Sequence, residues 1–324
     1  MGARIIGTGS AVPPTCLTNT DLEKLVDTNH EWIVARTGIH QRQVMIQGED
    51  LLDLMYEASQ QALRAASLSA QDVDAIVVAT VSGDYAFPST ACLLQARLGV
   101  DTIPAFDVNA ACAGFVYGMS VVHSYVKSGE YSRLLLVGAD ALSTMVNWRD
   151  RATCILFGDG AGAVVLENQP GARGLLSAVI EANGALWPLL YVRAGQRQTV
   201  DQEGVHQGEW GIQMKGPELF KVAVRSLADV ACKALARAGL SPADVHLMIP
   251  HQANLRILHA VADRLQLSRE KVYCNVQHFG NTSAASIPIA LDEAVRDGKI
   301  HEDDIIVLNA CGGGLTWGAA VIRW

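Results

Sequence analysis

Apolar and polar residues follow two periods along this chain, and the periods predict strands that alternate with helices. Residues 73–80 and 133–139 are apolar along most of their length, which is typical of strands that are covered on both faces. Apolar residues three and four positions apart predict helices at about 50–66 and 216–238. Further strands are expected at 4–12, 103–109, 163–166, 245–250, 304–309 and 318–323, and further helices at 22–26, at 89–98, from 110 onward, from 254 to about 265 and from near Pro288.

An internal repeat organises these elements. The segment Ala62–Ser69 resembles Ala234–Ser241, at an offset of 172 positions (62 to 234). At the same offset Asn109 meets Asn281. Because several matches fall in one register, we expect an α/β fold in which two similar halves pack about a pseudo-twofold axis and direct their helix starts toward one site. The halves are expected at residues 1–171 and 172–324.

Composition and charge narrow the class of protein. With 324 residues, 50% of them hydrophobic, the chain can bury a large core in one or two domains. No run of about 18 apolar residues occurs, so we expect no membrane span, and the N-terminus lacks the apolar region of a signal peptide. A net charge of −8 argues against general nucleic-acid binding. The polar, glycine-punctuated stretch 193–211 is expected to be a mobile surface loop.

Cysteine usage indicates the compartment. The chain has seven cysteines, an odd number, and none of them form a CxxC pair. We therefore expect reduced thiols in the cytoplasm, and we expect no zinc site.

Cys112 lies where a predicted buried strand turns into a predicted buried helix. Backbone N–H groups at a helix start are unpaired and carry partial positive charge. A thiol at such a place loses its proton more readily, so we expect a lowered pKa for Cys112. The small residues Ala110, Ala111, Ala113 and Gly114 leave room for a substrate. The alternative for a single cysteine is a small side chain that fills core space.

Other segments with candidate chemistry end at the same predicted edge. His251 follows a strand, Asn281 stands in Gly-Asn-Thr, and a turn at Gly312–Gly314 precedes the last strand. Each has an ordinary alternative, namely a structural histidine, a helix cap or a tight turn. Together with Cys112, they suit acyl transfer followed by carbanion chemistry. The Gly158–Gly162 run matches no dinucleotide fingerprint, because a strand is predicted after it.

Over its whole length the chain resembles the β-ketoacyl-ACP synthase III family, the initiating condensing enzymes of bacterial type II fatty-acid synthesis. The resemblance implies the thiolase fold, with two pseudo-twofold-related halves in a layered α-β-α-β-α architecture. The motifs that carry it are Asn-Ala-Ala-Cys112-Ala-Gly-Phe, Pro-His251-Gln-Ala-Asn, Gly-Asn281-Thr-Ser-Ala-Ala-Ser-Ile-Pro, Gly312-Gly-Gly-Leu-Thr-Trp-Gly, Phe87-Pro-Ser, Phe157-Gly-Asp-Gly-Ala-Gly and Phe220-Lys-Val-Ala-Val.

The resemblance implies a role for each candidate. Cys112 would take an acyl group from acyl-CoA as a thioester, and malonyl-ACP would then enter. His251 and Asn281 would donate hydrogen bonds to the malonyl thioester carbonyl, which becomes an enolate as CO2 leaves. The enolate would attack the acyl-cysteine, and the backbone N–H groups of Cys112 and Gly313 would hold the tetrahedral oxyanion. No cofactor is expected, because acyl-CoA is a substrate.

The resemblance also assigns binding residues. For each of these binding residues the alternative is an ordinary role on the protein surface. A local basic patch on an acidic protein is what an acidic carrier protein would require. The CoA and pantetheine contacts would be Trp32, Arg36, Arg151, Gly216, Phe220 and Asn254, and the ACP contacts would be Gln252, Ala253, Asn254, Leu255, Arg256, Lys221 and Arg264.

Three positions bear on the substrate pocket. Pro217 stands where family members often carry a polar residue near the pantetheine, so one CoA hydrogen bond is in doubt. Cys311 stands where many members have Phe, and we expect the smaller side chain to admit acyl groups longer or bulkier than acetyl. Phe87 matches a residue that reaches across a homodimer interface and bounds the acyl pocket of the partner.

Two other functions fit the same motifs. One is a condensing enzyme of secondary metabolism that makes a quinolone or a polyketide starter. The other is a non-catalytic binder of carrier protein, against which the intact set of Cys112, His251 and Asn281 argues. The preferred acyl group is not readable from the sequence, because pocket volume is a three-dimensional property.

Overall fold

A computed structural model of the protein describes residues 2–193 and 211–324. The predicted loop at 193–211 therefore lies almost wholly outside the described residues. The strands are β1 Gly2–Ala11, β2 Cys16–Thr18, β3 Gln41–Gln43, β4 Ala75–Ala79, β5 Ala105–Val108, β6 Arg133–Ala141, β7 Asp159–Gln169, β8 Gly174–Ala182, β9 Leu190–Tyr191, β10 Gln213–Met214, β11 Leu247–Pro250, β12 Ile305–Gly312 and β13 Thr316–Arg323. The helices are α1 Asn19–Leu22, α2 His30–Thr37, α3 Leu51–Ala65, α4 Thr90–Leu98, α5 Gly114–Ser128, α6 Arg151–Cys154, α7 Gly216–Arg237, α8 Leu255–Leu265, α9 Val276–Phe279 and α10 Ser286–Arg296.

Two larger sheets form the frame of the described chain. The first has five strands in the order β1-β7-β6-β4-β5, and the second has four in the order β11-β12-β13-β8. In the first sheet β4 is parallel to β5 and β6, while β7 runs antiparallel between β6 and β1. In the second sheet β11 and β12 are parallel, and β13 and β8 are antiparallel to their neighbours. Each sheet takes its strands from one predicted half. The boundary after residue 171 itself stays a prediction.

The two sheets repeat each other at the offset found in the sequence. Strand β6 begins at Arg133 and β12 at Ile305. Helices α5 and α10 begin at the same offset, and each follows a 3₁₀ turn, at Ala111–Ala113 and Ser283–Ala285 respectively. The first residue of each turn is left-handed, with φ 47° at Ala111 and 51° at Ser283. The repeat thus extends to backbone conformation.

Apolar side chains hold five layers together. Helices α3 and α4 cover the outer face of the first sheet, with Met55 and Leu94 fully buried. Helices α5 and α10 lie between the two sheets, where Phe115 and Leu291 belong to one apolar cluster. Helices α7 and α8 cover the outer face of the second sheet. The predicted α-β-α-β-α layering is therefore confirmed.

Two local predictions need correction. Strand β7 begins at Asp159, so most of the glycine run lies inside the strand and does not precede it. A Cβ at Gly162 would lie only 2.7 Å from Cβ of Pro288, which shows that these glycines let α10 approach the first sheet closely. Helix α1 ends at Leu22 and does not begin there, because Thr18 and Asp21 form a capping box that starts it at Asn19.

Candidate active site

Cys112 lies in the 3₁₀ turn between β5 and α5, and it is 7% exposed. The end of β12 touches this turn, since a Cβ at Gly312 would lie 2.6 Å from the Cys112 nitrogen. Only glycine at position 312 permits that approach. The nucleophile predicted in one half therefore packs directly against the backbone of the other half.

Burial changes the acidity of the nucleophile. Removal of water raises the pKa of the Cys112 thiol to about 12, although the Ser283 hydroxyl, 3.4 Å from Sγ, acts to lower it. The nearby Asp140 carboxylate also raises the pKa. The expectation of a lowered pKa is wrong for the free enzyme, because burial outweighs the helix start. The resting form is the thiol.

His251 follows β11, and its backbone N–H donates to the Asn309 carbonyl at 2.8 Å. Its Nδ1 lies 2.7 Å from Oγ of Ser286. That hydroxyl oxygen accepts from the Gln252 N–H at 3.3 Å, so its own hydrogen is available to Nδ1. Burial lowers the pKa of His251 to about 4, so the ring is neutral at pH 7. If the Ser286 hydroxyl donates to Nδ1, the ring proton is on Nε2. Among the described residues, buried Nε2 has no hydrogen-bond partner, as expected of a donor that awaits a substrate.

Asn281 is held so that its NH2 group is left as the donor. Its Oδ1 accepts from the Ser283 N–H at 2.9 Å. Its backbone is fixed on both sides, because its N–H donates to the Leu156 carbonyl at 2.9 Å and its carbonyl accepts from the Gly158 N–H at 3.0 Å. Since Ser283 also contacts Cys112, the structure brings the predicted amide and thiol to one place.

The glycine turn lies beside the nucleophile, as predicted. A Cβ at Gly313 would lie 3.8 Å from Cβ of Ala111. Thr316 pins the turn, since its Oγ1 donates to the Ala110 carbonyl at 2.7 Å. This position is compatible with the oxyanion role of the Gly313 N–H, which stays a prediction.

The residues expected to hold the CoA nucleotide form one cluster. Cζ of Arg36 lies 4.1 Å and Cζ of Arg151 lies 4.7 Å from the centre of the Trp32 ring. Arg151 also donates to the Asp27 carbonyl at 2.7 Å. Both arginines are exposed. An aromatic face flanked by two cations suits a nucleotide base and its phosphates.

The other predicted CoA residues lie on α7 and α8. Gly216 begins α7, and half-buried Phe220 follows one turn later. Asn254 has a structural use, because its Oδ1 caps α8 by accepting from the Ile257 N–H at 3.0 Å. The ligand roles of these residues, and the effect of Pro217 at the second position of α7, stay predictions.

Gln252 is wrong as a carrier-protein contact. It is 1% exposed, and its amide NH2 donates to the carbonyls of Pro250 and Tyr273 at 2.8 and 3.1 Å. Its Oε1 accepts from the N–H groups of Asn275 and Val276 at 3.0 and 3.2 Å. A buried amide with all these partners braces the loop after β11 and has nothing left for a partner protein.

The remaining docking candidates differ in their surroundings. Ala253 and Leu255 are partly buried against apolar clusters. Lys221 and Arg256 are exposed, and Arg256 stacks over the Phe220 ring at 5.7 Å. Arg264 faces Asp229 at 3.8 Å, so part of its charge is neutralised.

The two acyl-pocket candidates lie in different places. Phe87 is 86% exposed on the loop before α4. Cys311 pairs across the strands with Trp317 and is half-buried beside the site. Burial raises its pKa to about 12, and the neighbouring Cys112 raises it too. Its effect on pocket size stays a prediction.

Sequence reasoning missed the polar residues that hold the site together. Asp140 is fully buried on β6, and it accepts from the Val81 and Ala284 N–H groups at 2.8 and 3.2 Å. Burial raises its pKa. Ser283 and Ser286 stand in the motif after Asn281, but the sequence assigns neither of them a role. The repeat held a signal for one of them, since Ser283 matches Ala111 beside the nucleophile.

Residues 2–193 and 211–324 contain no group of three or more His, Cys, Asp or Glu that could hold a metal ion. In the same residues no helix is both long and apolar enough to cross a membrane. The expectation that the reaction needs no cofactor is a separate matter and stays a prediction.

Comparison with known proteins decides the family. Two family models match, 3-oxoacyl-[acyl-carrier-protein (ACP)] synthase III at residues 106–184 and its C-terminal domain at 235–324. The β-ketoacyl-[acyl-carrier-protein] synthase III of Aquifex aeolicus is 48% identical, with 100% of both chains covered. The chain belongs to the β-ketoacyl-ACP synthase III family.

Solved structures support this family and its fold. A crystal structure of 3-oxoacyl-[acyl-carrier-protein] synthase III from Aquifex aeolicus matches with a TM-score of 0.93 and 47% identity over 100% of both chains. The priming β-ketosynthase of the R1128 polyketide pathway matches with a TM-score of 0.92, but at 32% identity over 99% of this chain and 96% of that one. As a β-ketoacyl-ACP synthase III, the chain is a condensing acyltransferase with the thiolase-like fold.

Proposed function

We propose that the enzyme transfers an acyl group from acyl-CoA to Cys112 and condenses it with malonyl-ACP, giving 3-oxoacyl-ACP and CO2 and initiating fatty-acid synthesis. The observation that carries this proposal is the convergence of a buried thiol, an oriented amide and an unpaired imidazole N–H. Ser283 joins Asn281 to Cys112, and Ser286 leaves His251 Nε2 as a donor.

The first half-reaction forms the acyl-enzyme. The S–C bond to Cys112 forms while the bond from the acyl carbon to the CoA sulfur breaks, and the thiol proton ends on the departing CoA sulfur. The oxyanion of the tetrahedral intermediate would be held by the N–H groups of Cys112 and Gly313. Both lie where β12 meets the nucleophile turn.

The second half-reaction forms the new C–C bond. Loss of CO2 from malonyl-ACP gives an enolate, whose oxygen would accept hydrogen bonds from His251 Nε2 and the Asn281 NH2. The enolate carbon attacks the acyl carbon, the C–S bond to Cys112 breaks, and the sulfur takes one proton from solvent. Neutral donors suit this step, since neither His251 nor Asn281 has to change its charge.

CoA and ACP would enter by one route. Helix α2, which carries Trp32 and Arg36, is capped at its C-terminus by Gly38, where a Cβ would lie 2.5 Å from Cβ of Leu255. Leu255 begins α8, which carries Arg256. Trp32 and Arg36, which would bind the CoA nucleotide, and Arg256, which would bind ACP, therefore lie along one rim of the protein. A carrier protein docked at α8 would deliver its pantetheine arm where CoA places its own.

We also propose a homodimer. Phe87 and Tyr85 are 86% and 61% exposed, which is unusual for large apolar side chains on one loop. The loop leads into α4, whose first N–H groups, including that of Thr90, are bound by the Asp107 carboxylate on the edge strand β5. An apolar loop beside an open sheet edge suits a second copy of the chain.

Sedimentation equilibrium tests the dimer. The expected mass is about twice that of the 34.6 kDa chain. Phe87→Ser should shift the equilibrium toward the monomer. A wild-type enzyme that sediments as a monomer at micromolar concentration would contradict the proposal.

The cytoplasm is the compartment that we propose. All seven cysteines are free in the structure, as in a reducing environment. The secondary-metabolism alternative has less support, because the R1128 enzyme is more distant than the Aquifex synthase.

The first test of the function concerns the nucleophile. Wild-type enzyme mixed with acetyl-CoA should gain one acetyl group in intact-mass spectrometry, and Cys112→Ser should gain none, because a buried hydroxyl there has no adequate base. Cys311→Ser is the matched control and should still be acylated. Acylation of the Cys112→Ser enzyme at the wild-type rate would exclude Cys112 as the nucleophile.

The second test separates the half-reactions. His251→Ala and Asn281→Ala each remove a donor to the enolate oxygen, and loss of such a donor costs about 10²–10³ in rate. Release of CO2 from malonyl-ACP should fall by that factor, while acylation of Cys112 changes much less. An equal loss in both steps for Asn281→Ala would show that its role is wrong.

The third test concerns docking. Arg256→Glu should raise KM for malonyl-ACP and leave acylation by acyl-CoA little changed, with an effect that shrinks as salt rises. Arg264→Glu is the matched control and should act more weakly, because Asp229 already offsets that charge. Unchanged KM for ACP at low salt would remove Arg256 from the patch.

A further inference from the structure

Ser283 reaches the nucleophile from the opposite half of the molecule. Its hydroxyl lies 3.4 Å from Sγ of Cys112, across a sequence separation of 171 residues. The side chain is 1% exposed, so water does not compete for the contact. A hydroxyl at this distance from sulfur can donate a hydrogen bond to it, and the same side chain also hydrogen-bonds the buried Asp140 carboxyl.

Among the residues that the structure describes, the charged and titratable groups around the sulfur offer no cation. Asp140 on β6 is an acid, and Cys311 on β12 is a thiol whose pKa burial raises to about 12. His251 after β11 is neutral, because burial lowers its pKa to about 4. A thiolate at Cys112 therefore needs neutral donors. Besides backbone N–H groups at the start of α5, the described residues place one such neutral donor beside the sulfur, the Ser283 hydroxyl.

We propose that Ser283 is a further catalytic residue, whose hydroxyl stabilises the Cys112 thiolate. It would do so when the sulfur attacks acyl-CoA and when the sulfur departs from the condensed product. Ser283 keeps its own proton throughout, and the thiol proton still ends on CoA. The inference rests on the proposed function for these two steps, but the reactivity of the thiol can be measured without either substrate.

The internal repeat shows that the hydroxyl can be removed without changing the backbone. Ser283 is left-handed at φ 51°, and its counterpart Ala111 has φ 47°. An alanine therefore already occupies this conformation in the other half. The backbone N–H that orients Asn281 is retained in Ser283→Ala. Ser283→Gly removes the same hydroxyl and suits a positive φ even better.

The experiment measures alkylation of Cys112 by iodoacetamide between pH 7 and 9, followed by mass spectrometry of the peptide that contains Cys112. A hydrogen bond to a charged group corresponds to about one to two pH units, so Ser283→Ala and Ser283→Gly should react about 10- to 100-fold more slowly at each pH. Both replacements are smaller than serine, so a slower reaction cannot come from a more closed site. Acylation by acetyl-CoA should slow in parallel.

Ser286→Ala is the matched control. It removes a neighbouring buried hydroxyl that contacts His251 and not Cys112, so alkylation should stay at the wild-type rate while CO2 release falls. Wild-type alkylation in both Ser283 variants, or an equal loss in Ser286→Ala, would overturn the inference. If the wild type alkylates as expected but is not acylated by acyl-CoA, the proposed function fails and the role of Ser283 stands.

Discussion

The structure depends on the close approach of two backbone turns at its centre. The turn that holds Cys112 meets β12, and the turn that holds Ser283 meets β6. Each contact requires a glycine, because a Cβ at Gly312 would lie 2.6 Å from the Cys112 nitrogen and a Cβ at Gly138 would lie 2.3 Å from the Ala284 carbonyl oxygen. The approach is reciprocal, since each half supplies the glycine against which the turn of the other half packs. Overpacking at either glycine would separate the nucleophile from the residues that act with it.

This close packing also sets the electrostatics of the site. Burial removes water from Cys112 and from His251, and it shifts their pKa values in opposite directions, to about 12 and about 4. Both groups are neutral at pH 7, so the free enzyme does not store a thiolate–imidazolium pair. Negative charge develops only during the reaction, and neutral donors that are already oriented then form hydrogen bonds to the charged atom. Such preorganised donors need little rearrangement, which is the usual source of catalytic stabilisation in a dry site.

Much of the fold was predictable because it depends on local patterns and on a repeat. The spacing of Met55 and its neighbours fixed helix α3 to within a residue, and the match of Asn109 with Asn281 predicted two halves. The acidity of Cys112 was not predictable, because burial depends on chain segments far away in sequence. The resemblance made Gln252 a carrier-protein contact, yet its amide is hydrogen-bonded to backbone groups of Pro250 and of the segment 273–276. Contacts between distant segments leave no periodic signal.

The rim of the site contrasts with its centre. At the centre, positions are fixed by buried hydrogen bonds and by glycines that admit no alternative packing. At the rim, Arg36 and Arg151 stack on one half-buried indole, and Arg256 stacks on Phe220. Stacked arginines can exchange an aromatic partner for a nucleotide base at small cost, because the new contact resembles the old one. The enzyme must accept two thioester carriers in succession and present each acyl carbon to the same sulfur. A rigid centre, together with a rim whose arginines can change stacking partners, suits that task.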